Sequence, residues 1–267
     1  MPNFTDQEYL KNDQYHDSSN LDARMNLHQR FSTNPQGWFP WVFDTLDQLP
    51  RQARVLELGS GPGSLWSTCV ERIPVGWVIT LSDISEGMLL SAWRNLVVTG
   101  RAFKFQQFDA QSIPYPEESF EVVIANHMLY HVPDRPQALR EIHWVLKTGG
   151  HLVAATNGIN HLKELIAWLK QVSPEGASTP PSSLFSLESG LPLLQAIFRD
   201  VEVRRYQNSL RITQIEPIMA YIQSMLRAAD YSEADLARLR GLLEIELQSK
   251  EALNVATNTG LFLAVKH

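Results

Sequence analysis

Between Arg54 and Asn157 the apolar positions follow two alternating rhythms. Short apolar runs at 54–58, 77–82, 103–107, 120–125 and 150–156 read as strands buried on both faces. The stretches between them, 63–73, 85–98 and 136–147, read as helices. In the last of these Leu139, Ile142, Val145 and Leu146 recur at helical spacing, and Gly149-Gly150 ends the segment. Strands that alternate with helices predict βαβ units and a parallel sheet. After residue 156 the rhythm breaks. Leu162, Leu165, Ile166, Leu169 and Val172 give an amphipathic helix over 161–172, and the Pro-, Ser- and Gly-rich stretch 173–183 reads as a loop. A helix near 187–198 and a strand near 200–207 restore the α/β pattern. Two inserted helices follow, near 214–229 and 233–251, the second opened by a capping box of Ser232 and Asp235. A last strand at 260–265 closes the chain, and there is no internal repeat. The strand runs number seven.

The first strand runs straight into VLELGSGPG, residues 55–63, with glycine at 59, 61 and 63. Glycine has no Cβ, so the chain turns tightly there and a ligand can lie against the backbone. At the carboxyl end of a parallel strand, ahead of a helix, such a loop is where α/β sheets bind nucleotides. Asp83 closes the next strand, 20 residues after Gly63, the spacing of a carboxylate that accepts hydrogen bonds from ribose hydroxyls. Residues 55–83 therefore read as an adenosine-type cofactor site. A dinucleotide loop would carry a small residue one place later, where this chain has Ser64. Glu57, two residues before the first glycine, disfavours a pyrophosphate and favours a ligand with a cationic end, an ammonium or sulfonium.

Composition narrows the class. The 267 residues are 44% hydrophobic and 19% charged, and their formal charge is −6. That describes a globular core without the basic stripe of a nucleic-acid binder. Cys69 is the only cysteine, which excludes an internal disulfide and a cysteine metal cage. No apolar run approaches the roughly 20 residues of a membrane span, and the N-terminus is polar and acidic. The expectation is a soluble cytoplasmic protein, monomer or homodimer, with a small-molecule partner and neither nucleic acid nor membrane.

Four segments resemble class I S-adenosylmethionine-dependent methyltransferases, in particular the type 11, UbiE-like subgroup. They are E-x-G-x-G-x-G at 57–63, DISEGML at 83–89, FDAQSIPYPEESFEVVIANHMLYHVPD at 108–134 and ALREIHWVLKTGGHLVAATNG at 138–158. The resemblance implies a Rossmann-like, doubly wound α/β sheet of seven strands with the last antiparallel. It also implies a helical N-terminal lid over residues 1–50, and a methyltransferase domain over 51–267 with helical insertions near 157–186 and 208–255. The cofactor implied is S-adenosyl-L-methionine. Glu57, Gly59, Ser60, Gly61 and Gly63 would lie along its methionine and ribose. Asp83 would hold the ribose, Ile84 and Met88 the adenine face, Asp109 and Ala110 the adenine edge, and Asn126 the methionine end.

The resemblance implies methyl transfer to O, N or C of a small-molecule acceptor. The alternatives are an NAD-linked oxidoreductase and a cofactor-binding protein without turnover. Candidate general bases are His127 and His131, just past the fourth strand, and His28 in the N-terminal segment, where Tyr15 and Trp38 also face the expected site. Plainer readings stand beside these. Asp83 can cap the helix that starts near Ser85, Asp109 can serve a turn, Asn126 can cap locally, and Met88 lies at core spacing with Ala92. Trp41, Phe43 and Leu46 fit packing against the sheet, and Cys69 fits a small buried hydrophobe. His127 and His131 have the i,i+4 spacing of a helical metal pair, but no third ligand accompanies them, so no metal is expected.

Overall fold

The apolar runs assemble into one seven-stranded sheet. The computed structural model describes residues 4–173, 184–225 and 231–267. The strands are β1 (Gln52–Leu58), β2 (Gly76–Asp83), β3 (Lys104–Gln107), β4 (Phe120–Asn126), β5 (Leu146–Asn157), β6 (Val201–Tyr206) and β9 (Thr259–Val265). Their order is β3-β2-β1-β4-β5-β9-β6. Pairings among β3, β2, β1, β4 and β5 are parallel; β9 runs antiparallel between β5 and β6. This is the Rossmann-like α/β sheet expected, with its reversal at the last strand. The strand order reverses between β1 and β4, which opens the crevice where α/β sheets hold ligands.

The helices around this sheet are α3 (Trp38–Leu46), α4 (Ser64–Thr68), α5 (Glu86–Val97), α6 (Arg135–Val145) and α8 (Leu187–Gln195). One face of the sheet is covered by Phe43 and Leu46 of α3, Trp66 of α4 and Leu96 of α5. The other is covered by Leu139 and Ile142 of α6, Leu194 of α8 and Phe185. Trp41, Phe43 and Leu46 thus pack on the sheet, and Cys69 lies in the same cluster. A third cluster lies outside the sheet. It joins α2 (Ser19–Phe31) to α7 (Lys163–Val172), α9 (Ile215–Met225) and α10 (Glu233–Lys250), through Leu27, Phe31, Leu165, Leu169, Ile218, Ile222, Leu239 and Leu243. The N-terminal segment and the inserted helices therefore share one core. Ser232 and Asp235 form the capping box expected at the start of α10.

Some local expectations differ. The helix expected over 63–73 is only α4, followed by a 3-10 turn at Val70–Arg72. Cys69 leaves helical geometry at φ −113° and ψ 23°, and the surrounding Thr, Cys and Val are weak helix formers. The helix expected to reach residue 147 ends at Val145, because Leu146 turns extended and pairs with Phe120. A second sheet was not foreseen: β7 (Ser209–Ile212) pairs antiparallel with β8 (Leu253–Ala256). The loop expected over 173–183 lies, apart from Ser173, outside the described residues, as do residues 226–229 of the helix expected over 214–229.

Candidate functional site

The loop after β1 is a glycine cradle closed by an acid. Gly59, Gly61 and Gly63 lie at φ +59°, +54° and +74°, a region other residues enter at a cost. The Ser60 N–H donates to the Ser82 carbonyl at 2.9 Å, which fixes the loop to β2. The Gly61 N–H donates to Asp83 Oδ2 at 2.9 Å, and the Ser85 N–H to Asp83 Oδ1 at 2.9 Å. Asp83 therefore ties the loop to the start of α5, while Ser85 itself caps that helix by accepting from the Met88 N–H at 3.2 Å. Burial pushes the Asp83 carboxyl up, and the backbone N–H groups of Ser85, Gly61 and Ile84 oppose it.

The loop opens onto a cavity of about 680 Å³. Glu57, Gly59, Ser60, Gly61, Asp83, Ile84, Met88, Asp109, Ala110 and Asn126 all line it, and so do His28, His127 and His131. Gly63 does not. A Cβ there would stand 2.9 Å from Leu96 Cδ1 and 3.4 Å from Ala92 Cβ. Gly63 lets α5 pack against the start of α4.

Glu57 is 2% exposed, and its Oε2 accepts from the Trp66 indole N–H at 2.6 Å. Burial pushes its carboxyl up to about 8, the Trp66 bond opposing and the nearby Asp83 adding. Burial thus opposes a bare charge on Glu57 in the free site, and a cationic group beside it would favour its ionised form. Asp109 accepts from the Gln111 N–H at 2.9 Å and from its Nε2 at 2.8 Å, which is the turn role. It also accepts from Gln7 Nε2 at 2.6 Å across 102 residues of sequence. Asn126 Oδ1 and Ser60 Oγ are buried without a hydrogen-bond partner. A buried polar atom without a partner costs about 1–3 kcal/mol, so both suit a polar ligand in the cradle.

The N-terminal segment closes over this cavity. α1 (Gln7–Tyr9) continues into a π-turn at Leu10–Gln14 before α2. The Tyr15 hydroxyl lies 2.9 Å from His131 Nε2, and His131 Nδ1 lies 2.9 Å from the Phe4 carbonyl. A carbonyl only accepts, so Nδ1 carries the proton and Nε2 accepts from Tyr15. Arg24 Nη1 donates to the same hydroxyl at 3.2 Å, while its Nε donates to Ser224 Oγ at 3.1 Å and its Nη2 to the Ser224 carbonyl at 2.5 Å. Segment, sheet edge and α9 are thus tied at one point. The Tyr15 carbonyl accepts from Ser85 Oγ at 2.7 Å, which sets the segment against α5. Gly87 makes that approach possible, since a Cβ there would stand 1.9 Å from the His16 carbonyl oxygen. Gly87→Ala is expected to undock residues 4–17. Overpacking of this kind costs about 1–3 kcal/mol, so cleavage of the N-terminal segment by limited proteolysis should quicken about fivefold or more.

The far end of the cavity is aromatic and nearly free of charge. His127 sits at φ +57°, directly after β4, with its N–H donating to the Ala155 carbonyl at 3.1 Å. Its ring lies 5.0 Å from Trp38, between centroids. His131 points instead to Tyr15, at 5.3 Å. The pair diverges, and among the described residues no group of three His, Cys, Asp or Glu is placed to hold a metal. His28 stacks near-parallel on His161 at 6.2 Å and meets Tyr221 at 6.0 Å. His161 and Tyr221 were not singled out in the sequence; only their position after a strand and on an inserted helix hinted at a role. Burial pushes His28, His127 and His131 down to about 4.

These shifts set a pH window. The unfolded chain takes up protons near pH 6.5 on histidines that the folded chain protonates only near 4. Their contribution to stability is complete above 6.5 and is lost as pH falls towards 4. Glu57 has the opposite sign: its contribution is complete below 4.5 and fades as pH rises through about 8. The thermal midpoint is expected to fall on acidification below pH 6.5, and His28→Phe should flatten that acid limb in a pH series of melting curves.

The sheet order, the glycine cradle and the acid at the end of β2 define an α/β protein with a nucleotide-type site. Residues 56–154 match the family model described as a methyltransferase domain. The ubiquinone/menaquinone biosynthesis C-methyltransferase UbiE of Xanthomonas oryzae is 36% identical over 110 residues, 40% of this chain and 44% of that protein. The chain thus spans less than half the length of that relative. The 27-O-demethylrifamycin SV methyltransferase of Amycolatopsis mediterranei is 28% identical over 223 residues, 80% of this chain and 75% of that one. Among solved structures, the Haemonchus contortus phosphoethanolamine N-methyltransferase 2, in complex with S-adenosylhomocysteine, superposes with a TM-score of 0.60 at 21% identity. The match covers 100% of this chain and 60% of that one. Residues 56–154 resemble a class I methyltransferase domain of the UbiE-like type. Among the described residues no helix is long and apolar enough to cross a membrane.

Proposed function

We propose that the chain transfers a methyl group from S-adenosyl-L-methionine to O, N or C of a small-molecule acceptor held in this cavity. The observation that carries this reading is the continuity of one cavity from the Gly59–Gly61 cradle and Asp83 to the histidines under the N-terminal segment. The cofactor, when bound, supplies an electrophilic methyl group on a sulfonium. Asp83 is assigned to the ribose hydroxyls, Ile84 and Met88 to the adenine face, and Asp109 with Ala110 to its edge. Glu57, the 59–61 backbone and Asn126 are assigned to the methionine part.

The protein's own contribution is enclosure and orientation. Holding two reactants in line and excluding water supplies up to roughly 7–11 kcal/mol in well-oriented cases. In this reading residues 4–31 are the lid. Both ring nitrogens of His131 are engaged, by Tyr15 and Phe4, so His131 is a clasp rather than a proton acceptor. His28 and His127 are the uncharged imidazoles left to take a proton. A cytoplasmic setting suits a chain whose single cysteine, Cys69, is a free buried thiol.

Calorimetry with S-adenosylhomocysteine tests the cofactor, and radiolabelled methyl transfer to a metabolite panel tests turnover. Binding should also release a proton. Glu57, whose carboxyl burial pushes up in the free site, is expected to ionise beside the ligand's ammonium, so that binding releases a proton near neutral pH and less as pH rises. Titrations in buffers of different ionisation enthalpy measure this, and Glu57→Gln should abolish it. Heats that do not vary with buffer would refute it.

A further inference from the structure

We propose that the imidazole cluster His28–His127–His161 is the acceptor site, and that it takes a hydroxyl group on an uncharged or anionic molecule rather than an amine. This rests on the methyltransferase reading and deepens it.

Three distant parts of the chain build the cluster: α2 supplies His28, the left-handed residue after β4 supplies His127, and the turn after β5 supplies His161. All three line the cavity. The Asn258 N–H donates to His161 Nδ1 at 3.2 Å. A backbone amide only donates, so Nδ1 is bare and the ring's proton is on Nε2. His161 therefore offers a fixed N–H donor at its remaining edge. The rings of His28 and His127 make no hydrogen bond to any described residue, and both line the cavity, where a ligand can reach them. A ligand with both an oxygen acceptor and an O–H donor satisfies this set: the oxygen accepts from His161 Nε2, and the O–H donates to a bare nitrogen of His127 or His28.

Charge decides against an amine. The carboxylates that line the cavity, Glu57, Asp83 and Asp109, stand at the cradle end, at or beyond the ends of β1, β2 and β3. The one cationic side chain among the lining residues is Arg24, on the same helix as His28. A protonated amine at the histidines would lose its hydration with no carboxylate there to face. A hydroxyl pays no such penalty. On transfer, an oxygen lone pair forms the new O–CH3 bond and the S–CH3 bond breaks with its electron pair left on sulfur. The hydroxyl proton passes to the bare imidazole nitrogen, from which solvent removes it.

The test is binding, read apart from turnover, on the full chain saturated with S-adenosylhomocysteine. The probes are 2-naphthol and the matched cation 2-(aminomethyl)naphthalene at pH 7.5, with histidine ring nitrogens followed by 15N NMR. The naphthol is expected to bind at least about tenfold more tightly and to shift the His161, His28 and His127 ring signals. His161→Phe should weaken naphthol about tenfold with S-adenosylhomocysteine affinity unchanged, and His161→Gln, which keeps an N–H donor, should restore most of it. Amine binding equal to or tighter than naphthol overturns the proposal. So does naphthol binding that is absent, or that is indifferent to both substitutions. Failure of S-adenosylhomocysteine itself to bind would instead overturn the cofactor reading.

Discussion

Asp83→Ala is expected to weaken S-adenosylhomocysteine binding by about a hundredfold or more. The carboxylate already accepts from Gly61 and Ser85, and in the proposed complex it also accepts from the ribose. Hydrogen bonds to a charged group contribute about 1.5–3 kcal/mol each. Loss of two ribose bonds then corresponds to a factor of about 10² to 10⁴. The substitution also strands the Gly61 and Ser85 N–H groups, so the loop loosens and the thermal midpoint falls. Asp83→Asn separates the two effects. It keeps one acceptor for the backbone but offers an N–H where a second acceptor is needed, so it should recover stability more than affinity. Calorimetry beside thermal melts gives both readings. Full affinity in Asp83→Ala would remove the ribose assignment.

The contrast between what the chain disclosed and what it hid follows from range. The cradle and Asp83 were legible because their geometry is local: glycines at alternate positions, then an acid at the end of the next strand. The seven strands were legible because central parallel strands are apolar on both faces. β7 and β8 were not, since each has four residues and its partner lies some 40 positions away, so neither carries a period of its own. The burial of Glu57 and its bond to Trp66, which oppose each other in setting its charge, are not revealed by spacing. Gly63 belonged to the same motif as its neighbours, yet its missing side chain makes room for Leu96. The histidine cluster was only half visible: His28 and His127 stood out, but nothing near His161 signals that its ring stacks on a residue 133 positions earlier.

The third hydrophobic cluster gives the cavity its character. α2 packs Leu27 and Phe31 against α7, α9 and α10, so the helix that carries Arg24 and His28 is anchored on one side by the inserted helices. On its other side it reaches the cradle, where Leu21 Cδ2 stands 3.4 Å from a Cβ position on Gly61 and Met25 Sδ lies 3.6 Å from Ser64 Oγ. The inserted helices, packed on α2, thus help position residues at both ends of the site.

The second large effect is expected at the clasp. Tyr15→Phe removes the hydroxyl that joins His131 and Arg24, leaving His131 Nε2 and one Arg24 N–H without a partner. Each stranded polar group costs about 1–3 kcal/mol, in a segment whose other tethers include Gln7 to Asp109, Phe4 to His131 and Tyr15 to Ser85. The closed form should lose about thirtyfold to about 10⁴-fold in population. Methyl transfer, once an acceptor is in hand, should fall by a similar factor in kcat/KM. His131→Ala should cost about as much alone as together with Tyr15→Phe, because either change breaks the same chain. Additive losses would mean that the two residues act separately. An N-terminal segment equally protected from protease in all three variants would mean that the clasp does not hold the lid.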